Sequence, residues 1–460
     1  MDFVAVVTIL IVYYIRPQDW VPGLAGANLI QPIAMFAILS VFVRRGALDI
    51  RQIIASPIDF LVFLYGIYIV TTAPDSVDTF FTLLPYLIFY FVTRLAIDTP
   101  QRLYVYLLWW LGMRLAVAAF AVGSLYGIDV TGAQEVTSKF GGRLALGTWL
   151  HNNPNSLGHT VILLLPLAYM AFFWRSLIPK KILAIGMMVL AGYCVYETGS
   201  RGSFVAGLIV ATFGLCLGRR KLTQVLISVF VVSSATAIFS ALPRMQQVSS
   251  LRSDEGVQGR MMAWEIARTA TRNKTNGDGW LQFEAYIEYE GAMFKKATHS
   301  CYVRVAADLG LPGLFIYVGI LWCAGRALAL LRRAAFEDDD IERCRRMLFV
   351  ILVGYLVSGW MLDRSYHVNF FLMVAAISAM YKVHRLDPAE ESEQEPTEST
   401  AAAGMAVGFT ERLKPKAVME EEEEDRPTPI WRRIGLADIT AMVVLTYATL
   451  AFWDYIMGIV

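Results

Sequence analysis

Apolar runs long enough to cross a bilayer recur along this chain, and the connectors between them alternate in charge. A helix needs ~20 apolar residues to cross ~30 Å of hydrocarbon. Inside hydrocarbon only helices and closed barrels satisfy their own backbone groups. The runs lie near 2–15, 28–43, 57–73, 79–97, 103–126, 156–174, 181–197, 202–218, 221–243, 303–330, 347–363 and 367–383, with a last one at 436–457. With 56% hydrophobic residues and a mean hydropathy of +0.51, the chain is too apolar for a soluble fold of this length. The pattern predicts an all-α, polytopic membrane bundle of about 12 core spans plus one appended C-terminal span. The first run, Phe3 to Ile15, follows Asp2 rather than a basic stretch, so it reads as a retained span and not a leader.

Every second connector is basic. Arg44, Arg45 and Arg51 share one; Arg94 and Arg102 share the next but one. Arg175, Lys180 and Lys181 follow, then Arg219, Arg220 and Lys221, then Arg332, Arg333, Arg343, Arg345 and Arg346, and finally Lys382 and Arg385. Positive charge marks cytoplasmic loops, which puts the N-terminus in the cytoplasm. The remaining connectors face outward, and two of them are long: Gly127 to Asn155, and Arg244 to Thr298. The second reads as a large periplasmic loop (244–298) with an amphipathic helix over 258–272, where Met262, Ile266 and Ala270 recur at helical spacing.

The composition changes after the twelfth run. Residues 386–430 are acidic and proline-containing, notably Glu390 to Thr400 and Glu420 to Asp425. Such a segment buries too little surface to offset its ordering entropy. The division is therefore a membrane bundle over 1–385, a disordered cytoplasmic linker over 386–430, and a C-terminal helix over 431–460. That helix reads as an appendage. The cysteines, at 194, 216, 301, 323 and 344, show neither metal-site nor disulfide spacing.

Three side chains fall at or beside the outer boundary: Arg201, Arg260 and His299. Two guanidiniums can grip phosphate oxygens as forks. An imidazole, with an unperturbed pKa near 6.5, can take a proton at neutral pH. Arg143 is a further phosphate contact. His151, Asn153 and Asn155 can bind sugar hydroxyls, or equally form a polar helix-capping turn. Glu284 and Glu288, spaced to share a helical face, read first as a solvated face and second as sugar contacts or alternative bases. The acidic run Asp338, Asp339 and Asp340 lies on the cytoplasmic side and is assigned to solvent. With no other carboxylate cluster in view, the reaction reads as metal-independent, without a cofactor.

The order of motifs resembles the O-antigen ligase and polymerase superfamily. His299-Ser300, nine residues, Gly310, two residues and Gly313 matches the family's characteristic stretch, except that Gly313 stands where the family has Arg, Thr or Tyr. Thr198 to Ser203, Gly259-Arg260 with Trp264, Gly277 to Trp280, and Asn153 to Ser156 are similar to further family stretches. The resemblance implies a GT-C-like bundle. It implies a membrane glycosyltransferase, an O-antigen ligase or polysaccharide polymerase, acting at the periplasmic face of the bacterial inner membrane. The donor would be a glycan on polyprenyl diphosphate, such as undecaprenyl diphosphate. The acceptor would be a hydroxyl of a glycan, of the lipid A-core of lipopolysaccharide, or of a protein. In these roles His299 is the base, and Arg201 and Arg260 clamp the diphosphate. The partners are then membrane lipids and these two substrates, with no nucleic acid.

A transporter or flippase is the alternative. Its buried charges should sit near the midplane. Arg114, Arg304 and Asp308 are the few mid-span ionisable residues.

Overall fold

The computed structural model describes residues 1–46, 53–241, 255–289, 292–331, 339–383 and 434–459. The acidic linker, Asp338 and part of the long loop lie outside them. The chain runs α1 (Asp2–Tyr14), α2 (Pro17–Trp20), α3 (Ile30–Arg45), α4 (Pro57–Thr72), α5 (Ser76–Ala96) and α6 (Pro100–Leu125). Then come α7 (Ala133–Lys139), α8 (Pro154–Val161), α9 (Leu164–Ala168), α10 (Ile178–Thr198), α11 (Arg201–Cys216), α12 (Lys221–Ala241) and α13 (Glu255–Asn273). A hairpin follows, β1 (Ala285–Tyr289) and β2 (Ala292–Lys296). The last elements are α14 (Cys301–Leu331), α15 (Asp339–Ser358), α16 (Val368–Val383) and α17 (Leu436–Ile459).

Helix starts follow local chemistry. Ser56, Asp75, Thr99 and Asn153 each cap the next helix by accepting a backbone N–H, and Pro57, Pro100 and Pro154 hold the first helical position. Among the described residues, six helical stretches are long and apolar enough to cross a membrane: 76–96, 100–125, 154–173, 178–198, 301–331 and 436–459. Shorter apolar helices at 57–72, 201–216, 221–234 and 368–383 accompany them. Their lipid-compatible faces are visible. Ile182 and Val189 on α10, Phe230 on α12 and Val444 on α17 are all exposed. Exposed apolar side chains in such number suit lipid better than water.

The two sets of connectors segregate to opposite ends. At one end Arg44 pairs with Asp98 at 2.6 Å and Arg102 with Asp98 at 3.2 Å. At that end also, Arg175 pairs with Asp339 at 2.6 Å, and Arg346 donates to the Leu217 carbonyl at 2.9 Å. At the other, the Trp149 N–H donates to Asp19 at 2.7 Å, Leu144 to Glu197 O at 3.0 Å, and Cys301 to Gly359 O at 2.6 Å. The alternation in charge is thus an alternation in space. Arg94 departs from it: it is buried within the bundle, 3.3 Å from buried Asp59.

Helices α14 and α16 form the centre and are buried on nearly every side. Helix α14 breaks at Gly310, whose φ is 66°, and Pro312 follows. The break frees the carbonyls of Ala307 and Asp308. They accept from Asp278 and Gly279 at 3.0 and 2.8 Å. A Cβ on Gly310 would stand 1.9 Å from the Thr275 carbonyl, and one on Gly277 2.4 Å from the Asp308 carbonyl. The two glycine-bearing motifs therefore interlock, backbone against backbone. Asp308 completes the strap: it accepts from Phe283 N at 3.0 Å and pairs with Arg304 at 2.6 Å.

Helix α17 is no appendage. Met442 fills the space over Gly319, and Asp438 accepts from Trp322 at 3.2 Å and Arg326 at 2.5 Å. Farther along, Asp454 pairs with Arg268 of α13 at 2.9 Å, and Trp453 packs edge-on against Trp264. The sequence pattern shows a long apolar run; it does not show these scattered partners.

Candidate functional site

The site lies where α8, α11, α13 and α14 begin or pass one another. Gly199, at φ 54°, ends α10, and Ser200 caps α11 by accepting from Ser203 N at 3.3 Å. Arg201 is then the first residue of α11 and is partly exposed. A cation at a helix N-terminus opposes the dipole. The same dipole favours an anion, so both features suit a negative ligand.

Arg143 and Asn155 brace this turn. Arg143 donates through Nε to the Thr198 carbonyl at 3.0 Å and through Nη2 to Asn155 Oδ1 at 3.1 Å. Asn153 caps α8, accepting from Asn155 N at 2.9 Å, so the capping alternative for this turn holds. His151 is fully buried. Its Nδ1 faces Thr148 Oγ1 at 3.2 Å, and burial followed by the Arg364 charge keeps the ring well below its ordinary pKa. His151 is neutral, and its buried Nε2 has no hydrogen-bond partner among the described residues.

Arg260 projects from α13, whose buried face is Ala263, Trp264, Ala267 and Thr271. The helix lies where the periodicity placed it, but its face is rotated: Met262 is 49% exposed, while Ile266 and Ala270 pack partly against the core. The Trp264 indole donates to the Thr298 carbonyl at 2.7 Å. His299 follows at φ 50°, left-handed for a non-glycine residue. Ser300 is buried and accepts from Val303 N at 3.4 Å, capping α14. His299 is therefore fixed from both sides in a strained backbone. It is half-buried, and burial, then the Arg260 charge, pulls its pKa down to about 4. Its imidazole is neutral at pH 7 and free to accept a proton.

Glu284 and Glu288 do not share a helix. They lie at a two-stranded antiparallel hairpin, with Glu288 opposite Met293. An i, i+4 spacing places side chains on one face of a strand as well as of a helix. Glu284 bonds Lys295 and Tyr286, which hold its carboxyl below the usual range. Both glutamates are exposed.

One neighbour escaped the sequence reading. His159 of α8 is buried, and a Cβ on Gly202 would stand 3.5 Å from its Nε2. Arg260 and Arg364 both act on it electrostatically. His159 thus lies against the α11 N-terminus and within electrostatic reach of Arg260. The signal was present, since His159 stands six residues after the Asn153 cap. The charges that act on it, however, come from α13 and the α15–α16 connector, which no local spacing reveals.

Residues 186–318 match the O-antigen ligase family model. The matched O-antigen ligase stretch runs from α10 into α14 and holds Arg201, Arg260, His299 and the Gly277–Gly310 interlock. It supports the resemblance to the ligase and polymerase superfamily and indicates that type of function. Arg143, His151, Asn153, Asn155, His159 and α17 lie outside it. No curated protein matches the chain.

Proposed function

We propose that the chain is a membrane glycosyltransferase that moves a glycan from a polyprenyl-diphosphate carrier to a hydroxyl acceptor at the outer face of the bacterial cytoplasmic membrane. The observation that carries this reading is His299, neutral, strained and set beside Arg260 within the O-antigen ligase stretch. The acceptor O–H gives its proton to the imidazole. The acceptor oxygen bonds to the anomeric carbon as the bond from that carbon to the diphosphate oxygen breaks. The electron pair leaves with the diphosphate, whose growing charge Arg201 and Arg260 stabilise. Arg143 and Asn155 position Arg201 through the turn that starts α11.

The transport alternative loses two of its residues. Arg304 and Asp308 pair with each other and strap the long loop to α14. Transfer from a polyprenyl-diphosphate-linked glycan, measured with purified protein, tests the proposal. His299→Ala should lower turnover by on the order of 10²–10⁴ while donor binding persists. Arg201→Lys and Arg260→Lys should weaken both, because an ammonium cannot reproduce the fork. Normal turnover in all three variants would sink the proposal.

A further inference from the structure

A pocket of ≈ 30 Å³ lies between α6, α8, the start of α14, α15 and the segment joining α15 to α16. Arg114, His159, Tyr355, Ser358, Arg364 and Asn369 supply its polar lining. Every polar partner of the two arginines is neutral. Arg114 donates to the Thr160 carbonyl at 2.7 Å, the Tyr14 hydroxyl at 3.2 Å and Asn369 Oδ1 at 3.5 Å. Arg364 meets His367 Nδ1 at 3.1 Å, the Leu150 carbonyl at 2.9 Å and the Ser156 hydroxyl. Among the described residues, no carboxylate forms an ion pair with either guanidinium. The Nε of Arg114 has no partner, and neither ring nitrogen of His159, which is only 7% exposed, has one.

Buried Arg114 and half-buried Arg364 make no such ion pair, Asp363 acting on Arg364 only through space; both are costly inside a membrane bundle, and so is the unpartnered buried imidazole. A bound anion removes all three costs together. The volume narrows the choice. One water needs ~10–15 Å³ on this measure. The pocket therefore has the room of two or three waters, at about 30 Å³ of liquid volume each, which suits one tetrahedral oxyanion and is too little for a sugar ring.

We propose that this pocket is a second anion subsite, which takes one phosphoryl group between the Arg114 and Arg364 guanidiniums and the His159 imidazole. Through His159 the subsite adjoins Gly202 and Arg260. Resting on the glycosyltransferase reading, the phosphoryl group is the inner phosphate of the carrier. Free inorganic phosphate has the same chemistry.

The test uses the full chain purified in detergent, with inorganic phosphate and a glycan-free polyprenyl diphosphate as probes. Phosphate should raise the melting temperature of the wild type by a few degrees. His159→Leu and Arg364→Met should each weaken that response roughly tenfold or more, and His159→Gln, which keeps an N–H donor, should retain part of it. Displacement of phosphate by the polyprenyl diphosphate assigns the subsite to the carrier; lack of displacement assigns it to the free anion. Should Arg364→Met fail to fold, His159→Leu decides alone. No response in the wild type overturns the proposal, as does a response that survives both substitutions. A response lost in Arg201→Ala but intact in His159→Leu also overturns it, while leaving the diphosphate clamp standing. Conversely, if Arg201→Ala transfers glycan normally and phosphate binding still depends on His159, the clamp is wrong and the subsite stands.

Discussion

The Trp264 indole donates to the Thr298 carbonyl at 2.7 Å, one residue before His299. A helix of the long loop thereby sets the backbone that carries the proposed base. Trp264→Phe keeps the ring and removes the N–H. The buried Thr298 carbonyl would lose its donor, at a cost of about 1–3 kcal/mol. We expect turnover to fall about tenfold or more with donor affinity unchanged. A parallel loss of donor affinity would show that the bond serves binding instead.

The pH profile should carry the mark of a depressed imidazole. With its pKa near 4, His299 is neutral above that value and becomes protonated as the pH falls through it. Because kcat/KM reports the free enzyme, its acid limb should lie near pH 4 and not near 6.5. A bound diphosphate favours the imidazolium, so the limb of kcat should lie higher than that of kcat/KM. An acid limb of kcat/KM at 6.5, lost in His299→Gln, would refute the burial argument.

Helix α17 should matter to the site. Arg268→Glu and Asp454→Arg each break a half-exposed pair worth at most ~1 kcal/mol. Their combination should restore what each loses, in melting temperature and in turnover. Trp453→Ala removes the edge contact with Trp264 and should cost more than either. Full activity after removal of 434–460 would return α17 to the status of an appendage.

Gly310→Ala should be among the most damaging single changes. Its Cβ would collide with the Thr275 carbonyl, and its φ of 66° is strained for any other L-residue. We expect a loss of at least ~2 kcal/mol, read by thermal melts. Gly23→Ala, with nothing within 4 Å, serves as the neutral control.

Sidedness is open to labelling in intact cells. Ser138→Cys, at the site end, should react with an impermeant maleimide, and Lys180→Cys, at the basic end, should not. The opposite pattern would invert the topology and remove the site from its substrates.

Much of this architecture could be read from residue order. Apolar runs mark α5, α6, α10 and α14, and arginine clusters mark the end they share, because both signals are local. His299 was legible for the same reason, standing at a fixed offset from Gly310. What escaped depends on contacts between distant segments. Glu284 and Glu288 read as helical because period-two and period-3.6 patterns coincide at a spacing of four. Arg364 carries no local signature: it reaches Leu150 and Ser156, more than two hundred positions earlier. Met262 satisfied the helical period, but Trp264 takes the buried face because its indole finds the Thr298 carbonyl.

The reciprocal closure of Gly277 and Gly310 bears on how this region can be re-engineered. Each position leaves room only for the bare main chain of the other's segment. A chimaera that grafts a foreign loop over 255–300 must bring 301–313 with it, because the recipient helix offers its freed carbonyls at one spacing only. Loop exchange between related chains is here an exchange of loop and half-helix as one cassette.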